Sequence, residues 1–282
     1  MNDPQFTIVT PSYNYAKYIR ECLDSVKNQE GVSFEHLVFD AGSTDGTIDI
    51  LREYPHIELT VEPDKGMSDA INKGFRKARG EWIMWLNTDD RLLPGALKSV
   101  ADFAAKHPEA DVIHGAWNFI DADGRVTRSM KAIPYSFRMI VEHGCYIAST
   151  ATFFRRSTTI SEGFLLNDGF RYVMDGEYYA HLGKYGKRFV ALNIPLAEFR
   201  LHDESLSQAK FGYHAKDGVD ACLHHCRRFA ETMAIRRAYG FSPFRTLRWN
   251  LALDAVLYEL FRLKKGFLQL TTSTPRHKEP HP

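Results

Sequence analysis

The sequence predicts an α/β fold in which a mostly parallel central sheet is flanked by helices. Two observations carry this. Short apolar runs alternate with segments of helical period, beginning at Phe6. Polar or acidic residues then close each of the first four runs. The composition, 44% hydrophobic and 25% charged over 282 residues, can supply a sizeable core.

The elements follow in order. "FTIVTPSY" reads as a first strand, and Tyr18, Ile19, Cys22, Leu23 and Val26 mark one face of the helix after it. "FEHLVFDA" is a second strand, followed by the turn "GSTDGT" and a short helix to about residue 54. "IELTVE" is a third, and Met67, Ile71, Phe75 and Ala78 stripe a helix ending near Gly80. "EWIMWLN" is a fourth, with Leu97, Val100, Ala101 and Ala104 on the next helix, and "ADVIHGAWNFID" begins a fifth. Ligands of such sheets bind beyond the carboxyl ends of the strands. Those ends carry Pro11 to Asn14, then Asp40, then Glu62 and Asp64, then Asn87, Asp89 and Asp90.

Several function classes are disfavoured. There is no GxxxxGK[ST] loop, and the first turn, "TPSYNYAKY", lacks the GxGxxG of a dinucleotide site. A nucleotidyltransferase would also carry a basic, glycine-rich first turn. The net charge of +1 offers no electrostatic case for nucleic acid. No secretory signal opens the chain, and no run of about 18 apolar residues is present. The four cysteines include no CxxC pair, which suits a reducing cytoplasm. "CLHHC" (222–226) reads as a helix face with reduced thiols rather than a zinc site, because adjacent histidines diverge on a helix.

The runs "TIVTPSYN", "HLVFDAGSTDGT" and "VEPDKGMSDAINKGFRKARGEWIMWLNTDD" resemble glycosyltransferase family 2, over roughly Phe6 to Asp111. Weaker similarity continues at "YVMDGEYYAHLGKYG" and "FRLHDESLS". The resemblance implies a GT-A fold with a catalytic domain over 1–210, divided into a nucleotide-sugar half (1–111) and an acceptor half (112–210). It implies an inverting, metal-dependent transfer of a sugar from a nucleotide-diphosphate donor to a glycan or lipid-linked acceptor, in bacterial surface glycan synthesis. By that resemblance Thr10, Pro11 and Tyr13 pack around base and ribose, Asp40 hydrogen-bonds the base, and Asp64 faces nucleotide or sugar. Asp90 is the direct ligand of Mn2+ or Mg2+, and Asp89 contacts ribose or a metal-bound water. His202 completes the metal shell or meets the diphosphate, and Arg200 faces phosphate. Asn87 departs from the family pattern, standing where some members carry the first aspartate.

An inverting transfer needs a carboxylate to take the acceptor proton. Asp175 matches the second residue of the family's Glu-Asp motif, with Met174 in place of the glutamate; Glu177 is the other candidate. Residues 131–150 are expected to line the acceptor groove, although packing accounts equally for Tyr135 and Phe137. A helical extension follows over 211–270, then a disordered tail over 271–282. Within the extension, Trp249, Leu253, Val256, Leu257 and Leu260 form a stripe edged by Arg and Lys. That stripe packs on protein or lies on the inner membrane face. The competing function is a non-catalytic sugar-nucleotide-binding protein, motivated by Asn87 and Met174.

Overall fold

The computed structural model describes residues 3–202 and 230–241. The "CLHHC" motif, the stripe around Trp249 and the tail lie outside the described residues.

Strands β1 (Phe6–Ser12), β2 (Phe34–Asp40), β3 (Ile57–Val61) and β4 (Trp82–Trp85) run parallel. Helices α1 (Ile19–Lys27), α2 (Thr47–Arg52) and α3 (Met67–Lys77) connect them in turn. After β4 come the two-residue β5 (Arg91–Leu92) and helix α4 (Ala96–Ala104). The chain continues through β6 (Val112–Ile120), β7 (Val126–Met130), α5 (Phe137–His143), β8 (Thr152–Arg155), α6 (Met174–Lys184) and β9 (Phe189–Arg200). The sheet order is β3-β2-β1-β4-β8-β6-β9-β5, and β7 pairs antiparallel with the later residues of β6, Trp117 to Ile120.

The parallel arrangement holds as far as β4. Beyond it the sheet is mixed: β8 enters antiparallel between β4 and β6, while β6 and β9 are parallel partners. One sheet therefore runs continuously across residue 111.

Both faces are covered, so neighbouring residues of a strand enter different cores. Ile8, Met84 and Phe153 point to the side of α1 and α4, with Cys22, Val26, Leu97 and Val100. Val9, Trp85 and Phe154 point to the side of α3 and α6, with Ile71, Phe75, Tyr178 and Tyr179. The period of two in strand side chains produces this split. Trp85 and Phe154 stack at 5.5 Å across the β4–β8 seam. Gly74 lets α3 close on β1, since a Cβ there would stand 2.3 Å from Val9 Cγ1.

Residues of the 131–150 region that were candidates for the acceptor groove serve packing. Tyr135 stacks on Phe189 at 3.8 Å and donates to the Tyr179 carbonyl. Phe137 packs edge-on against Tyr239. Tyr239 and Phe241 belong to the 230–241 segment, which is helical over 230–238 and buries Ile235 in the same core. No helix among the described residues is long and apolar enough to cross a membrane.

Candidate active site

The carboxyl ends of β1 and β2 are tied into one rigid wall. Asp40 takes four hydrogen bonds: Oδ2 from the hydroxyls of Ser12 and Ser43, and Oδ1 from the amides of Gly42 and Ser43, at 2.7–3.0 Å. Asn14 sits at φ 56°, a left-handed conformation that Asn tolerates. It gives its amide to Ser43 Oγ and accepts the Thr44 amide at Oδ1. Asp45 bonds the amides of Ala16 and Thr47. On this wall Tyr13 is 58% exposed, whereas Asp40 is buried. Thr10 and Pro11 are buried within β1, and Thr10 Oγ1 pairs with His36 Nε2 at 2.9 Å. Thr10 therefore supports the strand from below instead of lining the cleft. Beyond β3, Asp64 is half-buried and accepts the Gly66 amide in a turn that opens α3.

At the end of β4 the acidic turn is closed by β9. Asp89 Oδ2 and His202 Nε2 are 3.0 Å apart, with the rings of Tyr18 and Tyr15 beside the imidazole at 4.8 and 6.1 Å. Asp90 is one layer further in, 1% exposed, with Oδ1 on the Arg200 amide and Oδ2 on the Asn87 side-chain amide. Burial, then the charge of Asp89, push its carboxyl well above the usual range. Asp90, expected as the direct ligand, is the inner carboxylate of the turn, held by the Arg200 and Asn87 amides, and Asp89 is the carboxylate beside His202.

Arg200 is corrected as well. Its side chain is fully buried, with Nε on the Asp89 carbonyl, Nη1 on the carbonyls of Asp121 and Ala122, and Nη2 on Glu21. The guanidinium is turned to these partners inside the protein rather than to solvent. Arg200 is a strut that binds α1, the acidic turn and the β6–β7 turn together.

The residues present fit a hard divalent cation. The donors at the mouth are a carboxylate and an imidazole, and Asn87 Oδ1 is buried without a protein partner among the described residues. Among those residues no three acidic, His or Cys side chains close into a full shell. Such partial shells suit Mg2+ or Mn2+, which keep water and substrate phosphate among their ligands.

Helix α6 brings two further carboxylates, Asp175 and Glu177, to the same sheet edge. Tyr178 and Tyr179 pack on Trp85, and Ser68 at the start of α3 bonds Met174 Sδ at 3.0 Å. Asp175 is half-buried in the first turn, with Oδ1 accepting the Gly176 amide at 2.8 Å. Glu177 is 8% exposed and accepts Tyr239 Oη–H at Oε1, while burial raises its pKa. Of the two, Asp175 is the carboxylate nearer solvent.

A family model described as "Glycosyl transferase family 2" matches residues 7–161, more than half of the chain. The chain belongs to glycosyltransferase family 2. Similar curated proteins include a Mycobacterium bovis "PGL/p-HBAD biosynthesis glycosyltransferase", 35% identical over 41% of this chain and 47% of the relative. The Escherichia coli "Chondroitin synthase" is 29% identical over 86% of this chain and 35% of that protein. The Pasteurella multocida "Hyaluronan synthase" is 28% identical over 76% and 22%. This family 2 chain thus spans about half the length of the mycobacterial relative, and less of the synthases. Among solved structures, S. aureus TarS 1–349 in complex with UDP-GlcNAc matches at TM-score 0.60 and 22% identity, covering 89% of this chain and 77% of that one. The Pyrobaculum calidifontis mannosyltransferase PcManGT, in complex with GDP-Man and Mn2+, matches at 0.54 and 19%, covering 95% and 84%. These likenesses establish the GT-A fold.

Sequence reasoning passed over two residues of this family 2 site. Glu21, on α1, is the shared acceptor of Arg200 and Arg91. Glu231 bonds the three amides that precede α6. Neither sits in a motif, and only the folded chain brings them to the site.

Proposed function

We propose that this chain transfers a sugar, with inversion, from a nucleotide-diphosphate donor to an acceptor hydroxyl in bacterial surface glycan synthesis. The observation that carries the reading is the Asp89–His202 pair at the carboxyl end of β4, on the edge where the first turn of α6 also stands. Asp89 and His202 would hold Mn2+ or Mg2+, which when bound neutralises charge on the departing nucleoside diphosphate. The exposed ring of Tyr13 stacks on the base, and the loops braced by Asp40 hold the wall against which base and ribose lie. Asp64, in the turn before α3, faces the sugar or nucleotide. Asp175 takes the proton of the acceptor hydroxyl as its oxygen attacks from the face opposite the leaving group. Glu177, buried and bonded to Tyr239, stays out of the proton transfer.

The similar proteins support the substrate classes. Two are glycosaminoglycan synthases by name, one serves PGL/p-HBAD biosynthesis, and the solved neighbours hold UDP-GlcNAc or GDP-Man, one of them with Mn2+. A glycan or lipid-linked glycan is the acceptor class in this reading. The enzyme works in the cytoplasm, at the inner face of the membrane.

A thermal-shift panel of uridine, guanosine and thymidine diphosphates, with and without manganese, identifies the nucleotide. Asp89→Asn is expected to abolish the manganese-dependent shift and slow transfer by about 10²-fold or more. Asp90→Asn, which removes no outward ligand, should cost less. The opposite ranking would restore Asp90 as the ligand. Asp175→Asn should reduce turnover by about 10²–10⁴-fold and leave nucleotide affinity within about threefold, well under 1 kcal/mol. Glu177→Gln should lose far less. Nucleotide binding without turnover on any glycan acceptor would favour the non-catalytic alternative.

A further inference from the structure

Helix α6 starts without a cap of its own. Val173 precedes its first residue at φ −132° and ψ 26°, and no side-chain bond from it caps the helix. The amides of Arg171, Tyr172 and Val173 are nevertheless all satisfied by one carboxylate, that of Glu231, at 3.1, 2.8 and 3.2 Å. Glu231 is about 60 residues further along the chain. Consecutive N–H groups converging on one anion form a nest, and the helix dipole favours the same charge there.

The segment holds α6 at two more points. Tyr239 Oη donates to Glu177 Oε1 at 3.1 Å, and Lys184 Nζ lies 5.2 Å from the centre of the Tyr239 ring. Ile235 anchors the segment, 5% exposed in the core. Asp175 lies between the Glu231 nest and the Tyr239 bond.

We propose that the 230–241 segment is a positioning element for the acceptor-side carboxylate. Glu231 sets the place and pitch of the first turn of α6, so that Asp175 meets the acceptor hydroxyl at a fixed point. Tyr239 keeps Glu177 turned into the protein. Glu231 touches no reacting atom and acts through Asp175. This rests on the reading of Asp175 as the base.

The test uses the full chain with Glu231→Ala, Glu231→Gln, Asp175→Asn and the Glu231→Ala/Asp175→Asn double variant. Turnover is read with the donor that the nucleotide panel selects and a mixed glycan acceptor. Binding of the matching nucleoside diphosphate with manganese is read separately. Glu231→Ala should lower kcat on the order of 10–10²-fold, the scale of a displaced catalytic group. It should leave nucleotide Kd within about twofold and speed hydrogen exchange at residues 171–173. Glu231→Gln, retaining one acceptor oxygen, should fall between. In the Asp175→Asn background the Glu231 change should cost almost nothing further, since its route to the chemistry is already gone.

Wild-type kcat or unchanged exchange in Glu231→Ala overturns the proposal. So does an equal loss with and without Asp175, which marks a general structural role. If Glu231→Ala fails to fold, Glu231→Gln is judged by the same criteria. Normal turnover in Asp175→Asn alone overturns the base assignment first, and the positioning role with it.

Discussion

At the scale of single residues, burial separates groups that the motifs present as equivalents. Asp89 and Asp90 are adjacent, yet one meets His202 while the other is sealed behind it by Arg200 and Asn87. Arg200 follows the same logic. A guanidinium is planar and carries five N–H donors, so it can join several carbonyls and a carboxylate at once. Replacing it by Met strands the carbonyls of Asp89 and Ala122 and removes one of the two cations from Glu21. Arg200→Met is therefore expected to lose about 2–4 kcal/mol of stability by chemical denaturation, at roughly 1 kcal/mol per hydrogen bond plus the ion pair. A phosphate contact would behave differently, with unchanged stability and weakened, salt-sensitive nucleotide binding. That result would restore the original expectation for Arg200.

At the scale of elements, the helices place the site by how closely they approach the sheet. Helix α3 sits on β1 through Gly74, and its first turn then reaches α6 through Ser68 and Met174. Gly74→Ala pushes a methyl into Val9 and should destabilise the fold by about 1–3 kcal/mol, as overpacked cores do. The smaller Val9→Ala change in the same chain should return part of that loss. Equal stability of Gly74→Ala and wild type would show that α3 can shift without cost. The stripe Met67–Ile71–Phe75 located this helix in the sequence, because burial of one face imposes the helical period. Strand β8 left no comparable trace: "TFFR" is too short for a period, and its place between β4 and β6 depends on distant partners.

At the scale of the whole molecule, two histidines make stability depend on pH. His36 and His114 are buried on β2 and β6, and burial lowers their pKa to about 3 and about 4 from 6.5. The positive charge of a protonated His56 adds to the effect at His36. The unfolded chain protonates both near 6.5 while the folded chain does not, so their contribution is intact above that pH. It is lost as pH falls toward 4. Between pH 7 and 5 the unfolding free energy should drop by about 2 kcal/mol for each histidine. Neither ring nitrogen of His114 has a partner among the described residues, so His114→Leu should remove about half of that dependence. Denaturant titrations at the two pH values measure this. An unchanged slope in the variant would place the proton uptake elsewhere.

The sequence alone determined the strand–helix order through β4, the edge of the sheet that carries the polar groups, and the family. Each of these depends on local period or on short contiguous motifs, and hydrophobic burial writes both into neighbouring residues. The positions of Asp40, Asp64, Asp89 and Asp175 at element ends were legible for the same reason. Tertiary structure decided which carboxylate faces outward, that Arg200 is a strut, and that Thr10 lies beneath the cleft. It also decided that Glu231 caps the turn before α6. These outcomes follow from partners 26 to 179 residues apart, such as Thr10 with His36 and Arg200 with Glu21. A hydrogen bond between such partners leaves no mark on the residues between them, so only packing of the whole sheet could assign them.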